Sequence, residues 1–186
     1  MTRDDILEAA AQVFRQKGYH GASMATIAEA VNLQKASLYH HVSSKQEILF
    51  ELLDRALELL LERISPIATQ TIPADERLRQ MIREYLQILA DNTDLAAVLL
   101  FEHRSLEGKQ HARHLPNRDK FEALWRDVLA EGVRSRRLVC DDIPLVARAL
   151  LGMMNWTITW YRATGSLTIK QIADQYSNLL LNGLLK

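Results

Sequence analysis

Apolar residues recur every three or four positions along almost the whole chain, and no segment alternates convincingly between apolar and polar residues as a strand would. A spacing near 3.6 residues is typical of helices that bury one face. The pattern therefore predicts an all-α fold of about nine helices. The expected helices cover residues 3–17, a short segment after Ser23, 35–41, a long segment from Ser44 to about Ile64, 76–90, 95–105, 117–136, 143–163 and 169–185.

Capping residues mark several of these helix starts. A serine or threonine before a helix can exchange hydrogen bonds with a polar residue three positions later. Gly18 follows the first periodic segment, where a glycine is often the C-terminal cap. The segment SPIATQTIPADE, residues 65–76, is predicted to be a connector. The expected capping pairs are Thr2 with Asp5, Ser44 with Glu47 and Thr168 with Gln171, and Ser23 is expected to cap the second helix.

The stretch LQKASLYHHVSSKQEI, residues 33–48, places a short polar helix directly before a long apolar one. Two short helices joined by a tight turn, the second rich in hydrogen-bonding residues, are typical of a helix-turn-helix. Ala28 is small enough for the two helices to approach closely, and Leu33 and Leu38 would hold the second helix from inside. The polar side chains that remain free to face a DNA groove are Lys35, Ser37, Tyr39 and His40.

The segment TIAEAVNLQKASLYHHVSSKQEIL resembles the DNA-binding motif of the tetracycline-repressor (TetR) family. The residues that match the motif by position are Ile27, Ala28, Ala36, Ser37, Leu38, Tyr39, Ser44 and Lys45, together with the upstream Ala9, Ala10, Phe14, Gly18, Tyr19 and Ser23. The chain departs from the pattern at three positions. Asn32 replaces the turn glycine, which is tolerable because asparagine accepts a positive φ. Gln34 replaces a serine cap, and Val42 replaces a phenylalanine.

The resemblance implies that the Tyr39 hydroxyl and the Lys45 ammonium hold phosphates of the DNA backbone. A cation in the first turn of a helix opposes the helix dipole, so Lys45 would suit a phosphate contact better than stability. Alternatively, Tyr39 is a partly buried aromatic residue and Lys45 a solvated charge. Gln34 and His40 could read base edges or only flank the groove, and His41 could be a packing residue. The expected DNA-binding residues are Ser23, Thr26, Gln34, Lys35, Ala36, Ser37, Tyr39, His40 and Lys45.

A domain boundary is predicted near Ser44, which gives a DNA-binding domain at 1–45 and a ligand-binding and dimerisation domain at 46–186. The resemblance implies that the last two helices of each subunit pair into a four-helix bundle. Residues 143–163 and 169–185 are apolar on more than one face, which exceeds what a monomer needs, although burial between neighbouring helices would have the same effect. The expected interface residues of the homodimer are Gly152, Tyr176, Leu180 and Gly183.

Residues 101–122, FEHRSLEGKQHARHLPNRDKFE, form a basic segment among bulky apolar residues. Its cations are His103, Arg104, Lys109, His111, Arg113, His114 and Arg118, which would suit an anion-binding mouth beside an apolar pocket. The segment could instead be a solvated surface and the apolar residues plain core. A metal site of Glu102, His103, His111 and His114 would not follow a recognisable zinc spacing. The expected ligand-binding residues are Phe101, His103, Arg104, Trp125, Met153, Trp156 and Trp160, with Met154 as a further apolar wall.

The segments EHRSL, EGVRSRRL and LLGMMNWTITWYRATGSLT are more loosely similar to TetR-type regulators of fatty-acid or steroid breakdown that sense acyl-CoA thioesters. This similarity implies a repressor released from double-stranded DNA by an apolar, anionic effector such as an acyl-CoA. The alternative within the family is a regulator of efflux or stress genes that senses a hydrophobic drug-like compound.

Other classes of protein are less well supported. A nucleophile elbow, a phosphate-binding loop and a metalloprotease helix are all missing from the sequence, so we expect no enzyme activity, no catalytic residue, no cofactor and no metal. A DNA-binding architectural protein or a pure protein-interaction module remains an alternative.

The chain has 186 residues, and its 23 basic and 23 acidic side chains give a formal net charge of zero. DNA binding must therefore come from a local basic patch, doubled by dimerisation. The single cysteine, Cys140, excludes an internal disulfide framework and a cysteine-based zinc finger. Acidic residues interrupt any signal-peptide core at the N-terminus. The most apolar run, 143–161, contains Pro144, Arg148 and Asn155, which favours a buried helix over a membrane span. We therefore expect a cytoplasmic protein.

Overall fold

The computed structural model describes residues 2–184 and confirms the all-α prediction for this part of the chain. Nine α-helices follow one another: α1 Arg3–Gly21, α2 Met24–Ala30, α3 Lys35–Leu38, α4 Lys45–Ala68, α5 Ala74–Asp91, α6 Thr93–Ala97, α7 Gly108–Arg134, α8 Ile143–Trp160 and α9 Ile169–Leu184. Leu185, where the last helix was expected to end, and the domain ends Met1 and Lys186 lie outside the described residues. No helix within residues 2–184 is long and apolar enough to cross a bilayer.

Two of the predicted capping boxes are confirmed. The Asp5 N–H donates to the Thr2 hydroxyl at 3.2 Å, and the Thr2 N–H donates to the Asp5 carboxylate at 2.6 Å. Thr168 and Gln171 exchange the same pair of bonds at the start of α9. Each box satisfies two backbone donors that a helix start would otherwise leave unpaired.

The predicted box at the start of α4 is only half right. The Glu47 N–H donates to the Ser44 hydroxyl at 3.1 Å, as a cap should. The Glu47 carboxylate, however, accepts from the backbone N–H of Ser43 at 2.6 Å and from the Ser43 hydroxyl, rather than from the Ser44 backbone. These bonds, with Arg3, hold the pKa of Glu47 below its usual range. The Glu47 carboxylate therefore bonds to Ser43, one residue earlier in the chain than the capping-box pattern predicts.

Gly18 interrupts α1 as the sequence predicts, but the chain returns to helix for one more turn. Its φ of 69° lies in the left-handed region, which glycine adopts without steric cost. The extra turn, up to Gly21, precedes the Ser23 cap of α2.

Proline does not end helices where the sequence analysis expected. Helix α4 continues through Pro66 to Ala68, so the connector is shorter than predicted. Helix α7 begins at Gly108 and contains Pro116, so its predicted start at residue 117 is wrong. A proline removes one helical hydrogen bond, and both long helices tolerate that loss. Most of the basic segment is therefore helical, and not a loop.

The predicted helix at 95–105 is broken into three pieces. Helix α6 is followed by a π-helical turn, Val98–Glu102, and by a 3₁₀ turn, His103–Ser105. Single π turns inside helical segments are rare and often accompany functional sites. Apolar periodicity cannot distinguish these turns from an α-helix, because they change the spacing by only one residue.

The described chain divides into two compact units. Unit 1 comprises residues 2–58 and 92–118, and unit 2 comprises residues 59–91 and 119–184. Helices α4 and α7 each have residues in both units. The functional boundary expected near Ser44 stays a prediction. The core of unit 1 includes Ile6, Phe14, Ile27, Leu38, Ile48, Leu49 and Leu53. The core of unit 2 includes Ile64, Leu78, Ile82, Tyr85, Trp125, Leu129, Leu150 and Met154.

Candidate DNA-binding and effector-binding residues

Helices α2 and α3 and the turn between them form a helix-turn-helix in unit 1. The Ser23 hydroxyl accepts from the Thr26 N–H at 3.1 Å, and the Thr26 hydroxyl accepts from the Ser23 N–H at 2.9 Å, which caps α2. The turn closes at Asn32, whose φ is 54°, as expected for the residue that replaces glycine. The Leu33 N–H then donates to the Ala28 carbonyl at 2.8 Å, so the turn is tight.

Helix α3 is anchored by one buried residue and presents polar side chains to solvent. Leu38 is completely buried, whereas the Tyr39 side chain is 46% exposed. Gln34, which stands where the family pattern has a serine cap, makes no side-chain capping bond to α3. The structure leaves Gln34, Lys35, Ala36, Tyr39 and His40 exposed and Ser37 half-buried. This surface is free to enter a DNA groove.

Lys45 lies in the first turn of α4 and contacts the end of α1. Its ammonium group donates to the carbonyl of Tyr19 at 2.8 Å and to that of Ala22 at 2.7 Å. The same group lies 4.2 Å from the centre of the Tyr19 ring, a favourable cation–π distance. These two bonds use two of the three ammonium hydrogens. The contact with α1 was not foreseen from the sequence.

Arg3 is a second residue whose role the sequence analysis missed. Its guanidinium donates to the Glu47 carboxylate at 2.6 Å, to the Glu51 carboxylate and to the carbonyl of His41. It therefore joins the start of α1 to α4 and to the end of the helix-turn-helix. The available signal was its position, because a cation in the first turn of a helix opposes the dipole unless carboxylates face it.

The seven predicted ligand-binding residues are divided between the units. In unit 1, Phe101 is 53% exposed, Arg104 is exposed and His103 is half-buried. Burial, with the nearby charge of Arg118, lowers the pKa of His103. A neutral imidazole at neutral pH can donate one hydrogen bond and accept another.

The basic segment contains one buried histidine. The His114 ring is 2% exposed, and both of its nitrogen atoms are buried without a hydrogen-bond partner. Burial lowers the pKa of His114, and the Asp54 carboxylate opposes this shift. Arg113, one residue earlier, stacks over the Phe50 ring at 4.5 Å.

Within residues 2–184, the histidines and carboxylates form no group of three that could hold a metal ion, so the metal alternative gains no support.

In unit 2, the predicted apolar ligand residues separate into a buried and an exposed set. Trp125 is completely buried, with its ring centre 5.9 Å from that of Tyr85 and 6.3 Å from that of Phe121. Its indole N–H is buried without an acceptor. Trp156 and Trp160 are 65% and 42% exposed, respectively, and Met153 is half-buried. Only Trp125 belongs to the closed aromatic cluster of this unit.

Helices α8 and α9 leave an apolar surface exposed to solvent. Its members are Leu145, Trp156, Trp160 and Leu179, each more than two-fifths exposed. Gly152 and Gly183 are exposed, and a Cβ atom at either would meet no atom within 4 Å. Leu180 is half-buried, and the Tyr176 hydroxyl accepts from that of Thr157 at 3.2 Å. Leu145, Trp156 and Trp160 recur at helical spacing and so share one face of α8, and an exposed apolar face is typical of a surface that another molecule covers.

An all-helical chain that places a tight helix-turn-helix before long, partly exposed apolar helices is a DNA-binding regulator of transcription, not an enzyme. The chain belongs to the TetR family. Residues 6–52 match the family model of bacterial regulatory proteins, tetR family, and residues 71–184 match that of the tetracyclin repressor-like, C-terminal domain.

Several relatives are similar over nearly the whole chain. The HTH-type transcriptional repressor KstR2 of Mycobacterium tuberculosis is 29% identical over 186 residues, which cover 99% of this chain and 93% of that repressor. PfmR of Thermus thermophilus has a crystal structure with 34% identity and a TM-score of 0.87, covering 97% of this chain and 99% of PfmR. AibR, crystallised with isovaleryl coenzyme A and operator DNA, gives 28% identity and a TM-score of 0.89, with 96% and 97% of the two chains covered.

Proposed function

We propose that this protein is a cytoplasmic, homodimeric repressor that binds an inverted-repeat operator and is released by an acyl-CoA thioester. The observation that carries the proposal is the exposed polar face of α3, held on the buried Leu38, in a chain similar to AibR over 96% of its length. A two-fold dimer requires a two-fold site, because each subunit presents the same surface to one half of the operator.

The proposed DNA contacts divide by role. Tyr39 and the remaining hydrogen of Lys45 hold phosphates, which position the protein without reading sequence. Gln34 and His40 are exposed at either end of α3 and are the candidates for base contacts. The remaining proposed contacts are Ser23, Thr26, Lys35, Ala36 and Ser37.

The proposed effector has a long apolar part and an anionic end. In unit 1, the exposed side chain of Phe101 provides apolar surface, and the exposed cation of Arg104 can pair with a phosphate while it stays in water. A cation that stays in water avoids the cost of burying a charge. Trp125, in the buried aromatic cluster of unit 2, is a further proposed effector contact. His103, Met153, Trp156 and Trp160 remain the other proposed effector contacts.

The test is a fluorescence-anisotropy titration of the protein on an inverted repeat selected from random DNA. Isovaleryl-CoA, longer acyl-CoAs, free fatty acids and CoA alone are then added in parallel. We expect release by acyl-CoAs, with affinity rising up to about fourfold per methylene that is buried, since each contributes about 0.8 kcal/mol. Release by none of them, together with release by a cationic drug, would favour the efflux or stress regulator and overturn the acyl-CoA proposal.

Matched variants separate the anionic end from the apolar part. Arg104→Gln should weaken acyl-CoA binding and leave free fatty-acid binding nearly unchanged, because the lost contact is to phosphate. The control is Arg134→Gln, which removes an exposed arginine at the end of α7 in unit 2. Equal effects of the two substitutions would show that Arg104 contributes only general charge.

A further inference from the structure

The first turn of α4 is hydrogen-bonded on two sides by consecutive residues, both within unit 1. On one side, Lys45 holds the carbonyls of Tyr19 and Ala22, at the corner between α1 and α2. On the other side, the Gln46 amide nitrogen donates to the carbonyl of Ser105 at 2.8 Å. The Gln46 carbonyl oxygen accepts from the backbone N–H of Glu107 at 3.3 Å.

Both polar atoms of the Gln46 side chain are therefore satisfied by backbone groups two residues apart. Such a pair of bonds specifies position, since a shift of residues 105–107 along α4 would break both at once. Because the partners are backbone atoms, changing the side chains of Ser105 or Glu107 would not remove either hydrogen bond. Among side chains of this length, only glutamine carries both a donor and an acceptor at its end, whereas glutamate carries only acceptors. Making both bonds therefore requires glutamine at position 46.

The segment that Gln46 holds also contacts the end of α1. The Ser105 hydroxyl lies 3.4 Å from the His20 ring nitrogen Nε2. A Cβ atom at Gly18 would lie 3.7 Å from the Glu102 carboxylate, so this carboxylate is close to the interruption in α1. Leu106, between the two residues that Gln46 contacts, is 4% exposed and belongs to the unit 1 core. Residues 102–107 are thus packed against the end of α1 and the first turn of α4.

Tyr19 completes the connection between Lys45 and Gln46. Its ring lies under the Lys45 ammonium and 5.4 Å from the Phe14 ring. Burial raises the pKa of its hydroxyl, and the nearby Gln46 amide acts in the opposite direction. Both residues of the α4 turn therefore meet at one aromatic side chain, whose own backbone leads directly into α2.

We propose that Gln46 is a positioning residue for DNA binding, which couples the placement of the helix-turn-helix to residues 102–107. Movement of this segment is passed through Gln46 to the first α4 turn and through Lys45 to the α1–α2 corner. The segment includes His103 and directly precedes α7, so effector binding at His103 and Arg104 would be one cause of such movement. In that respect alone the inference rests on the proposed function.

The decisive experiment needs no effector. Leu106→Ala disturbs the packing of the segment, and its effect on operator affinity is measured in the full-length protein with Gln46 and with Gln46→Met. We expect Leu106→Ala to weaken operator binding about tenfold, equal to about 1.4 kcal/mol, with Gln46 present. In the Gln46→Met background, the same substitution should have little further effect. Methionine keeps the length of glutamine without either hydrogen bond.

Two controls make this double-mutant cycle interpretable. Gln16→Met changes an exposed glutamine on α1 and should leave the effect of Leu106→Ala intact. Gln46→Glu retains the acceptor for the Glu107 N–H and should keep part of the coupling. This variant replaces Gln46→Met in the cycle if Gln46→Met folds poorly. Additive effects of Leu106→Ala and both Gln46 substitutions on operator affinity would overturn the proposal.

A second arm uses isovaleryl-CoA as the probe. In the wild type, the ratio of operator affinities without and with the probe measures the coupling between the two sites, and the operator weakens probe binding by the same factor. Gln46→Met should reduce this ratio about tenfold while leaving probe affinity in the absence of DNA unchanged. An unchanged ratio would contradict the proposal. If the wild type ignores every acyl-CoA, the proposed effector fails, and the Leu106 cycle still decides the role of Gln46.

Discussion

The ammonium of Lys45 donates to the backbone carbonyl of Tyr19 at 2.8 Å and lies 4.2 Å from the centre of that residue's ring. One side chain therefore holds both the main chain and the aromatic ring of its partner. The sequence resemblance accounts for Lys45 only as a DNA contact. Its position at the start of α4 gives it a structural task as well, and the two tasks can be separated by experiment.

Replacing Lys45 by methionine should lower both stability and DNA affinity. The apolar stem still covers Tyr19, but two charge-assisted bonds to carbonyls are lost, which should cost about 1.5 kcal/mol of the free energy of unfolding. The remaining phosphate contact also disappears, so the plot of log affinity against log salt should become shallower by about one unit. Lys45→Arg, which keeps the charge, is the control. A normal salt slope with reduced stability would assign Lys45 to structure alone.

The substitution Tyr39→Phe should weaken DNA binding without changing stability. The hydroxyl lies on a side chain that is 46% exposed, so its removal leaves no buried group unpaired. Because phosphates carry no base information, operator and random DNA should lose affinity by the same factor. Anisotropy on both DNAs, with thermal unfolding as the control, measures this. A selective loss on the operator would show that Tyr39 reads bases instead.

A glutamate in place of Gly183 should give a folded monomer. A Cβ atom there meets nothing within 4 Å, so the isolated subunit accommodates the side chain. The proposed four-helix interface would bury the carboxylate unpaired, which is costly. Sedimentation at micromolar concentration should show half the wild-type mass, and operator binding should fall sharply. The dimer proposal for α9 fails if Gly183→Glu sediments like the wild type, or if the wild type is itself monomeric.

Acid should destabilise the protein partly through His114. Burial lowers the pKa of His114 below its ordinary value of about 6.5, so the unfolded chain takes up the proton first as the pH falls. The destabilisation caused by His114 is therefore absent above about pH 6.5 and grows as the pH falls below that value. Between pH 7.5 and 5.5, His114→Leu should therefore reduce the loss in unfolding free energy. His111→Leu, at an exposed position of α7, is the control, and identical pH dependence of the two variants would contradict the assignment to His114.

The sequence predicted helices best where a buried stripe and a cap coincide, as at Thr2 and Thr168. It failed where polar residues continue a helix. The start of α7 carries several cations and few apolar residues, so its periodicity could not reveal a helix from Gly108. Pro116 strengthened the wrong start, because a proline costs one hydrogen bond and only a long, well-packed helix offsets that loss.

The candidate site was predictable only for side chains that face outward. The exposure of Tyr39 follows from its place in a short helix beside the buried Leu38. The contacts of Lys45 and Gln46 end on backbone carbonyls and N–H groups, which every sequence possesses, so no pattern of side chains could indicate them. Trp125 illustrates the opposite difficulty, since a bulky aromatic residue fits an interior cluster and a ligand wall equally well.

The membership of residues 92–118 in unit 1 has a consequence for inheritance. The residues of unit 1 are encoded in two separate parts of the gene, on both sides of residues 59–91. A single crossover after residue 58 would join α3 and Gln46 to a foreign 105–107 segment and separate Gln46 from Ser105 and Glu107. Recombination that transfers the whole of unit 1 to another chain therefore needs two insertions, the second of which carries residues 92–118.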